Sequence, residues 1–288
     1  MIKHQPLRFL SPLFCLTIAS LFYSSISVAE SPLKHVVSAG ANITEIVIAL
    51  GAEKQLVAVD STSDLPPRLK LPVVGYHRQL SAEALLALGL DGLIGSDEMG
   101  PESSLLQLQQ AGIAVHRLNS EATIAGLEQR IVQLAELLGH PQQGQQLQAK
   151  LKQQISHLKQ QAKTARQLNS LFFISHDGKK LMAAGDHTAA NSIIELAGAV
   201  NLAKPHINSY KPLSNEAILA LQPELLLFSQ RSLDALGGPQ GVIDSFPVLA
   251  ATPAGQQLAI YAIDGHALIG GLGLASLEQA TRLSQRLQ

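Results

Sequence analysis

The chain has 288 residues, of which 46% are hydrophobic and 15% are charged, and its formal net charge is −1. This length and composition suffice for sizeable apolar cores, and the near-neutral charge excludes the strongly basic surface typical of nucleic-acid-binding proteins. The single cysteine, Cys15, excludes an intramolecular disulfide and a thiolate metal site.

Residues 1–29 have the features of a secretory signal peptide. Lys3 and Arg8 form a short basic head, an apolar body follows, and residues 27–29 (SVA) form a small-x-small cleavage site. Polar residues interrupt the apolar body, which argues against a retained transmembrane helix. We therefore predict export and a mature chain of roughly 259 residues that begins near Glu30.

Short β-rich runs alternate with helical runs in the first half of the mature chain. The predicted elements are a strand at 35–38, a helix from Asn42, a strand at 56–59, a helix at 82–88, a strand at 92–95, a helix at 103–111 and a strand at 113–115. Asn42 is expected to cap its helix, with Glu45 completing a capping box. The alternation predicts an α/β lobe with a largely parallel sheet.

Two helical runs follow, from about Glu121 to Leu138 and from Gln142 to Lys163. The second has one apolar stripe, formed by Leu147, Leu151, Ile155 and Leu158. Four positions are too few for a coiled coil, so we predict one long amphipathic helix that joins two lobes.

A second alternating series begins at Ser170, with a helix at 188–197, strands near 224–228 and 258–263, and a closing helix from about 275 to 287. The predicted fold class is therefore α/β, with two Rossmann-like lobes joined by a single long helix and a ligand cleft between them. We assign 30–140 to the N-terminal lobe, 141–166 to the linker helix and 167–288 to the C-terminal lobe.

An internal repeat links the two lobes. The segment Leu80–Leu88 (LSAEALLAL) recurs 133 residues later as Leu213–Leu221 (LSNEAILAL). Each lobe therefore carries the same helix-strand unit. Tyr210 precedes the second copy by nearly the same distance as Tyr76 precedes the first.

The segment before the first copy, Val74–Glu83 (VGYHRQLSAE), concentrates polar chemistry in a loop that leads into a helix. A phenolate can bind ferric iron, and a tyrosine is one of the known axial ligands of haem. Arg78, two residues after Tyr76, could hydrogen-bond the phenolate and favour its charged form. The alternative is that Tyr76 is a half-buried loop aromatic and Arg78 a solvated charge. We expect the intervening His77 to be exposed.

Glu83 and Glu216 occupy equivalent positions in the first turn of the repeated helices. They could simply compensate the helix dipoles. They could also form a symmetric pair of carboxylates, one on each lobe, that docks on basic residues of a two-fold symmetric partner.

These features together resemble the periplasmic substrate-binding proteins of ABC importers in which two α/β lobes are joined by one long helix. That class carries haem, siderophores and vitamin B12, and the segment Val74–Glu83 closely resembles its haem-binding members. The resemblance covers the chain from Val36 to about Leu287. It implies a monomeric periplasmic carrier, without catalysis, that captures haem b for iron uptake and delivers it to an inner-membrane ABC permease dimer.

The resemblance also implies roles for individual residues. Tyr76 would be the axial ligand of the haem iron, with Arg78 hydrogen-bonded to its oxygen. His176, soon after the linker helix, would be a second iron ligand, and Arg231 would hold the tyrosinate or a propionate. Glu83 and Glu216 would contact permease arginines.

One segment, Gly270–Ala275, departs from the family pattern because it is more apolar than expected. Propionate contacts from that loop are therefore not expected. The remaining histidines, His187 among them, form no short ligand motif, and we interpret them as structural.

Several alternatives remain open at this stage. The same fold could bind a ferric siderophore or cobalamin, although cobalamin would not need a tyrosinate. A zinc or manganese carrier would want three or four His, Asp or Glu ligands. An exported enzyme is the alternative from a different class, but the sequence has no Gly-x-Ser-x-Gly elbow for hydrolysis. A haem-degrading oxygenase would need a reductant site that is not evident.

Overall fold

The computed structural model describes residues 1–2, 31–164, 166–175, 178 and 180–288. All elements below belong to one compact unit, Pro32–Gln288. The predicted signal peptide lies, after its first two residues, outside the described residues. In the part of the chain that is described, no helix is both long and apolar enough to cross a membrane.

The strands are β1 (Val36–Ala39), β2 (Leu56–Val59), β3 (Gly92–Ser96), β4 (Ala114–Leu118), β5 (Asn169–Ile174), β6 (Met182–Ala184), β7 (Val200–Asn201), β8 (Tyr210–Pro212), β9 (Leu225–Ser229) and β10 (Ile260–Ile263). The α-helices are α1 (Ala41–Ala49), α2 (Ala82–Leu86), α3 (Glu102–Gln110), α4 (Ile124–Leu137), α5 (Pro141–Thr164), α6 (Ala189–Ala197), α7 (Asn215–Leu221), α8 (Gln230–Ala235), α9 (Gly238–Ser245), α10 (Pro247–Ala250), α11 (Pro253–Gln256) and α12 (Leu274–Arg286). Short 3-10 turns lie at Glu53–Gln55 and His266–Leu268.

The first lobe is built on a parallel sheet with the strand order β2-β1-β3-β4. Successive residues of β1 face opposite sides of this sheet. Val36 packs in the same core as Ile43 of α1, whereas Val37 packs in the same core as Leu105 of α3. All four side chains are buried, because helices cover both faces of a parallel sheet. The predicted α/β alternation is confirmed for this lobe.

The second lobe has a mixed sheet with the order β10-β9-β5-β6-β8. Its parallel part, β10-β9-β5, repeats the pattern of the first lobe. β6 then runs antiparallel to β5, β8 runs antiparallel to β6, and β7 pairs with the start of β5. The sequence did not predict the two antiparallel strands, because they are only three residues long.

Helix α5 joins the two lobes, as the apolar stripe predicted. Leu151, Ile155 and Leu158 of the stripe are buried, and Leu147 is half-buried against the same core. This core also contains Ile131 of α4. The stripe therefore seats the connecting helix along a continuous apolar surface.

The internal repeat is a structural repeat. Ser81 caps α2 by accepting a hydrogen bond from Ala84 N at 3.3 Å, and Ser214 caps α7 by accepting one from Ala217 N at 3.2 Å. The serine of each copy satisfies a backbone donor that the first turn of a helix leaves free. Each capped helix is followed by a parallel strand, β3 in the first lobe and β9 in the second.

A pair of acidic residues completes the repeated unit just before these strands. Asp91 accepts backbone hydrogen bonds from Lys34 and His35 at 3.0 Å, immediately before β1. Glu224, 133 residues later, accepts one from Asn169 at the start of β5 at 3.1 Å. Each carboxylate therefore ties the start of one strand to the strand beside it.

The predicted capping box at α1 is wrong. Gly40 occupies the N-cap position with a φ of 119°, and no side chain caps this helix. Asn42 is buried and its side-chain amide donates to the carbonyl of Gly270 in the second lobe. Glu45 points to the same lobe, where it accepts hydrogen bonds from Leu274 N at 2.6 Å and Ala275 N at 2.9 Å.

Two side chains of the first lobe, Glu45 and Arg130, hold the segment 270–275 of the second lobe. Glu45 satisfies the free backbone donors at the start of α12. Arg130 has no exposed surface, and its guanidinium donates to the carbonyls of Leu272 and Asn119. Burial lowers the pKa of Arg130 to about 10, so it stays charged at neutral pH. The contact fixes the position of the loop that forms one wall of the cleft.

Candidate functional site

Tyr76 lies on the loop between β2 and α2, as predicted. The loop runs beside the end of β2, with Val74 N donating to Val59 O at 2.9 Å and Ser61 N donating to Gly75 O at 2.8 Å. Gly75 has a φ of 95°, a conformation that favours glycine, and it turns the chain outward just before Tyr76. The Tyr76 side chain is 41% exposed, so its phenol is available to a ligand.

His77 is buried, and the prediction that it would be exposed is wrong. Its side chain is 1% exposed and its Nδ1 atom lies 3.1 Å from Asp60 Oδ2. Its ring also meets the Tyr76 ring edge-on, with the centroids 4.4 Å apart. His77 is the buried residue of this pair because its ring lies against Asp60, whereas Tyr76 stays partly exposed.

Asp60 is the anchor of this part of the site. It follows β2 directly and accepts hydrogen bonds from Gly40 N at 3.0 Å, Thr62 Oγ1 at 2.7 Å and Ser63 Oγ at 2.7 Å, besides the contact with His77. Burial alone would raise the pKa of the Asp60 carboxyl, but these hydrogen bonds outweigh it and hold the pKa below its usual value. The carboxylate is therefore ionised and fully engaged.

Glu98 connects the buried histidine to the exposed arginine. Its Oε1 atom lies 2.6 Å from Arg78 Nη2, and its Oε2 atom lies 3.9 Å from His77 Nε2. The hydrogen bond to Glu98 raises the pKa of Arg78 above its ordinary value, with a smaller contribution from Tyr76. Arg78 thus lies close to Tyr76 while it is bound to Glu98. Its hydrogen bond to a Tyr76 phenolate stays a prediction.

These residues line a cavity of about 470 Å³ between the lobes. This volume falls within the range of small-molecule sites. The first lobe contributes Tyr76, His77, Arg78, Glu98, Ser120 and Ala122. The second lobe contributes His187, Thr188, Ala189, Ser209, Tyr210, Leu268, Ile269, Gly270 and Gly271.

His187 was interpreted as structural from the sequence, but its side chain is exposed in the wall of this cavity. It has a φ of 57°, and Ser209, which also lines the cavity, has a φ of 63°. Left-handed conformations are unfavourable for side chains other than glycine and concentrate at functional sites. The hydrogen bond from Ser209 N to Asp186 O, at 2.9 Å, holds the two segments together.

Tyr210 begins β8 and lines the cavity from the second lobe, one residue away from the position that corresponds to Tyr76 in the repeat. Its ring packs edge-on against Phe172. Burial raises the pKa of Tyr210 to about 12. Its phenol therefore keeps its proton at neutral pH and is suited to donate a hydrogen bond rather than to bind a metal as a phenolate.

Gly270 and Gly271 bring backbone rather than side chains to the cavity. Their φ values are 79° and 93°, and a Cβ atom on Gly271 would collide with the carbonyl of Ser120. Glycine is therefore required for the close approach of this loop to the first lobe. This explains the apolar composition that distinguished the segment in the sequence.

Among the described residues, the other predicted site residues do not line this cavity. Arg231 lies in the first turn of α8 with its side chain exposed, and it is not among the residues that line the cavity. His176 lies outside the described residues. Glu83 and Glu216 are both exposed, on α2 and α7.

Sequence reasoning missed Asp60, Glu98 and the cavity-lining role of His187. Asp60 and Glu98 follow the predicted strands at 56–59 and 92–95, and polar residues at the carboxyl ends of parallel strands are a known signal for a ligand site. That signal could have found both acids. His187 offered no such signal, because it lies beside an unpredicted antiparallel strand.

The described residues contain no group of three or more His, Cys, Asp and Glu side chains placed to hold a bare metal ion. The charged atoms near Tyr76 are instead paired with one another, Arg78 with Glu98 and His77 with Asp60. The exposed groups of the cavity include the Tyr76 phenol and the His187 imidazole, whose Nε2 atom lies 3.8 Å from Asp186 Oδ2.

Known proteins resemble this chain over most of its length. Residues 36–267 match the model of the periplasmic binding protein family. The periplasmic haem-binding protein HutB of Vibrio cholerae superposes with a TM-score of 0.84 at 49% identity, over 88% of this chain and 98% of that one. A periplasmic haem-binding protein from Pseudomonas aeruginosa superposes with a TM-score of 0.81 at 37% identity, over 88% and 92% of the two chains.

A curated relative is named for vitamin B12, in contrast to these haem-binding proteins. The vitamin B12-binding protein of Vibrio parahaemolyticus is 25% identical over 214 residues, which are 74% of this chain and 77% of the relative. Solved structures of a haem-binding and of a vitamin B12-binding periplasmic protein share the fold seen here. The chain belongs to the periplasmic binding protein family.

Proposed function

We propose that this protein binds haem in the cavity between its lobes and delivers it to an inner-membrane ABC permease dimer. The observation that carries the proposal is the exposed phenol of Tyr76, which lies in that cavity beside Arg78. A cationic neighbour favours the phenolate, and a phenolate is an established ligand of ferric haem iron.

The composition of the cavity suits both the apolar porphyrin ring and the charged propionates of haem. Ala122, Ala189, Leu268 and Ile269 supply apolar contacts suited to a porphyrin. The exposed imidazole of His187 is a candidate donor for a propionate carboxylate, as is the protonated phenol of Tyr210. Tyr76 and Tyr210 then both serve the cargo, Tyr76 as iron ligand and Tyr210 as hydrogen-bond donor.

The titration of Tyr210 favours Tyr76 as the iron ligand. Because burial raises the pKa of Tyr210 to about 12, its ionisation would cost several kcal/mol at neutral pH. Tyr76 is 41% exposed and lies beside the Arg78 guanidinium in the cavity wall, so its phenol is accessible to a ligand. His176 and Arg231 retain the roles that the family resemblance implies, as proposals.

Vitamin B12 is the second candidate cargo, because curated relatives that bind it align with most of the chain. The identity to the haem-binding proteins is higher, at 49% and 37%, and this supports haem as the first choice. A corrinoid needs no tyrosinate, so the phenol beside Arg78 supports the same choice.

The proposal includes removal of residues 1–29 on export to the periplasm. In it, the segment 141–166 joins the lobes 30–140 and 167–288, and Glu83 and Glu216 dock on basic residues of the permease. The protein acts as a carrier and leaves its cargo chemically unchanged.

A ligand titration followed by absorption spectroscopy tests the cargo. The mature protein, Tyr76→Phe and Tyr210→Phe are each titrated with haem and with cyanocobalamin. We expect the wild type to bind haem saturably with a ferric tyrosinate spectrum, and the end point gives the number of haems bound. Tyr76→Phe should lose that spectrum, and Tyr210→Phe should keep it.

Two results would contradict the proposal. Saturable binding of cyanocobalamin without haem binding would assign the corrinoid as cargo. An unchanged haem spectrum in Tyr76→Phe would place the iron ligand elsewhere. Incubation of the haem complex with an electron donor tests the carrier role separately, because consumption of the haem would identify an enzyme.

A further inference from the structure

A second pocket, of about 240 Å³, lies in the second lobe between α12 and β10, the edge strand of its sheet. Its described lining residues are all different from those of the cavity between the lobes. Arg282 and Arg286 of α12 both line this pocket. Residues four apart are neighbours on a helix surface, so the two guanidinium groups form a cationic wall on one side of the pocket.

Neither arginine is neutralised by a carboxylate in the part of the chain that the structure describes. Arg282 makes no hydrogen bond or salt bridge there, although Glu278 precedes it by one helical turn. Asp264 also lines the pocket, but its carboxylate lies 3.1 Å from the ring of His266 and forms no ion pair with either arginine. Like charges four residues apart repel on a helix, so the pair Arg282 and Arg286 favours an external anion.

The ring of Tyr261 holds one of the two guanidinium groups in place. The Cζ atom of Arg286 lies over this ring, 4.7 Å from its centroid, in a cation–π contact. Tyr261 belongs to β10 and packs against the apolar core, so the ring is a fixed support. A guanidinium that stacks by its face keeps the N–H groups at its edge available, and these groups match the geometry of an oxyanion.

A buried amide without a partner also faces this pocket. Gln279 lines the pocket and is only 8% exposed. Its side chain makes no hydrogen bond with any other described residue, although buried polar groups are normally paired. Gln279 lies three residues before Arg282, on the same side of α12. Its amide N–H is therefore placed to donate to the oxygen of a ligand that the arginines bind.

We propose that this pocket, which we call the α12 pocket, binds a small ligand with a dianionic phosphoryl group, held by the guanidinium groups of Arg282 and Arg286 and by the amide of Gln279. A phosphate monoester carries about −1.5 to −2 charges at neutral pH, which matches two guanidinium groups. A single carboxylate would leave one of them unneutralised. The inference is independent of the proposed binding of haem in the other cavity.

The size of the α12 pocket favours an organic phosphate over the bare ion. A volume of about 240 Å³ corresponds to roughly eight water molecules at about 30 Å³ each. Inorganic phosphate would fill only part of this space. A phosphate ester with a small organic group would also contact the apolar atoms of the pocket, and should bind more tightly than inorganic phosphate.

Calorimetric titration of the haem-free mature protein tests the site. Glycerol 3-phosphate, inorganic phosphate and succinate are each titrated at low ionic strength in a buffer without phosphate. We expect saturable, stoichiometric binding of glycerol 3-phosphate. Because Arg282→Gln and Arg286→Gln each remove charge-assisted hydrogen bonds, each should weaken it about tenfold or more. Gln279→Leu, which removes a neutral donor, should weaken it by about threefold to tenfold.

Two further variants separate a built site from general attraction of anions. Arg68→Gln is the matched control, because Arg68 is also an exposed arginine but pairs with Glu53 outside the α12 pocket. It should bind as the wild type does. Tyr261→Leu keeps both charges and removes the ring that supports Arg286. It should weaken binding about threefold, as expected for loss of a cation–π contact.

Three results would overturn the proposal: no saturable binding of either phosphate by the wild type, an equal loss of affinity in Arg68→Gln, or tighter binding of succinate than of glycerol 3-phosphate. Phosphatidylcholine vesicles with and without phosphatidic acid identify the source of the phosphoryl group. Binding to phosphatidic acid that Arg282→Gln abolishes would support a lipid head group, and binding of soluble esters alone would support a free ligand.

Discussion

The Nδ1 atom of His77 lies 3.1 Å from Oδ2 of Asp60, so the residue next to the exposed Tyr76 ties the ligand loop to the end of β2. The proximity of the two rings makes this anchor a direct support for the Tyr76 side chain. The hydroxyl groups of Thr62 and Ser63 also donate hydrogen bonds to Asp60 and hold its carboxylate in place. The loop that carries Tyr76 is thus held in place by contacts within the first lobe.

Loss of this anchor should affect both stability and the site. His77→Phe removes the donor to Asp60 and should lower the free energy of unfolding by about 2 kcal/mol, because a buried carboxylate loses a partner. Its haem complex should show a broadened or shifted tyrosinate band. His77→Asn is the matched control, since its amide can still donate to Asp60 and should restore much of both properties. Urea unfolding and absorption spectra measure the two effects, and an unaltered His77→Phe would exclude an anchoring role.

Removal of the Glu98 charge should release Arg78 toward Tyr76. Glu98→Gln weakens the 2.6 Å ion pair with Arg78 and leaves the guanidinium free to bind a phenolate. Because Arg78 is half exposed, we expect the free energy of unfolding to change by less than about 0.5 kcal/mol. The haem affinity should rise, and Arg78→Gln should lower it. A fall in affinity for Glu98→Gln, measured by haem titration, would contradict this role for Arg78.

The Glu45 contact between the lobes should make stability depend on pH. Burial raises the pKa of Glu45 to about 7, and the hydrogen bonds from Ala275 and Leu274 offset only part of that effect. The folded state therefore holds the proton more tightly than the unfolded state, for which the ordinary value is 4.5. The contribution of Glu45 to stability should fall as the pH rises from about 4.5 to about 7, and stay constant above that.

The variant Glu45→Gln isolates this contribution. The glutamine side chain cannot ionise. The free energy of unfolding of the wild type, relative to that of Glu45→Gln, should therefore fall by up to about 3 kcal/mol between pH 4.5 and pH 8. Urea unfolding at a series of pH values measures it. A difference that does not vary with pH, or one that varies in the opposite sense, would show that folding does not raise the pKa of Glu45.

Substitution of Gly271 should disturb the contact between the lobes. Gly271→Ala places a Cβ atom against the carbonyl of Ser120 at a φ of 93°, and should destabilise the protein by about 1–3 kcal/mol. Gly265→Ala is the control, because a Cβ atom there meets nothing within 4 Å and its φ is −64°. Thermal unfolding of the two variants should differ clearly. Equal melting temperatures would mean that the loop can move away from the first lobe without cost.

Substitution of His187 by glycine should affect stability and haem affinity in opposite directions. His187→Gly suits the φ of 57° better, so it should leave the free energy of unfolding unchanged or raise it by up to about 1 kcal/mol. Loss of the exposed imidazole from the cavity should nevertheless lower the haem affinity several-fold. Haem titration and urea unfolding of the same variant test the two effects together. Destabilisation with intact binding would identify His187 as structural, as its sequence context indicated.

The helices and the repeat were predictable because their signals are local. The stripe of α5 follows from the period of 3.6 residues per turn, and the caps of α2 and α7 follow from a serine placed just before an apolar run. The phenol and guanidinium of Tyr76 and Arg78 were recognisable for the same reason, since their chemistry and spacing lie within three residues.

The environment of the site was not predictable, because it depends on residues distant in sequence. His77 is buried since Asp60, 17 residues earlier, lies beneath it. Glu45 accepts a hydrogen bond from Leu274 at the start of α12 instead of capping its own helix, and Leu274 lies 229 residues later in the chain. His187 reaches the cavity through antiparallel strands that are too short to leave a periodic pattern.

The sequence by itself therefore determined the α/β alternation, the joining helix, the repeated capped helices and the tyrosine-arginine pair. Periodicity and capping act over a few residues, so one sequence is enough to read them. Only the tertiary structure decided which polar groups are buried, which are paired and which face the cavity. Those properties depend on the packing of segments that are distant in sequence, within one lobe for His77 and Asp60 and between the lobes for Glu45 and Leu274.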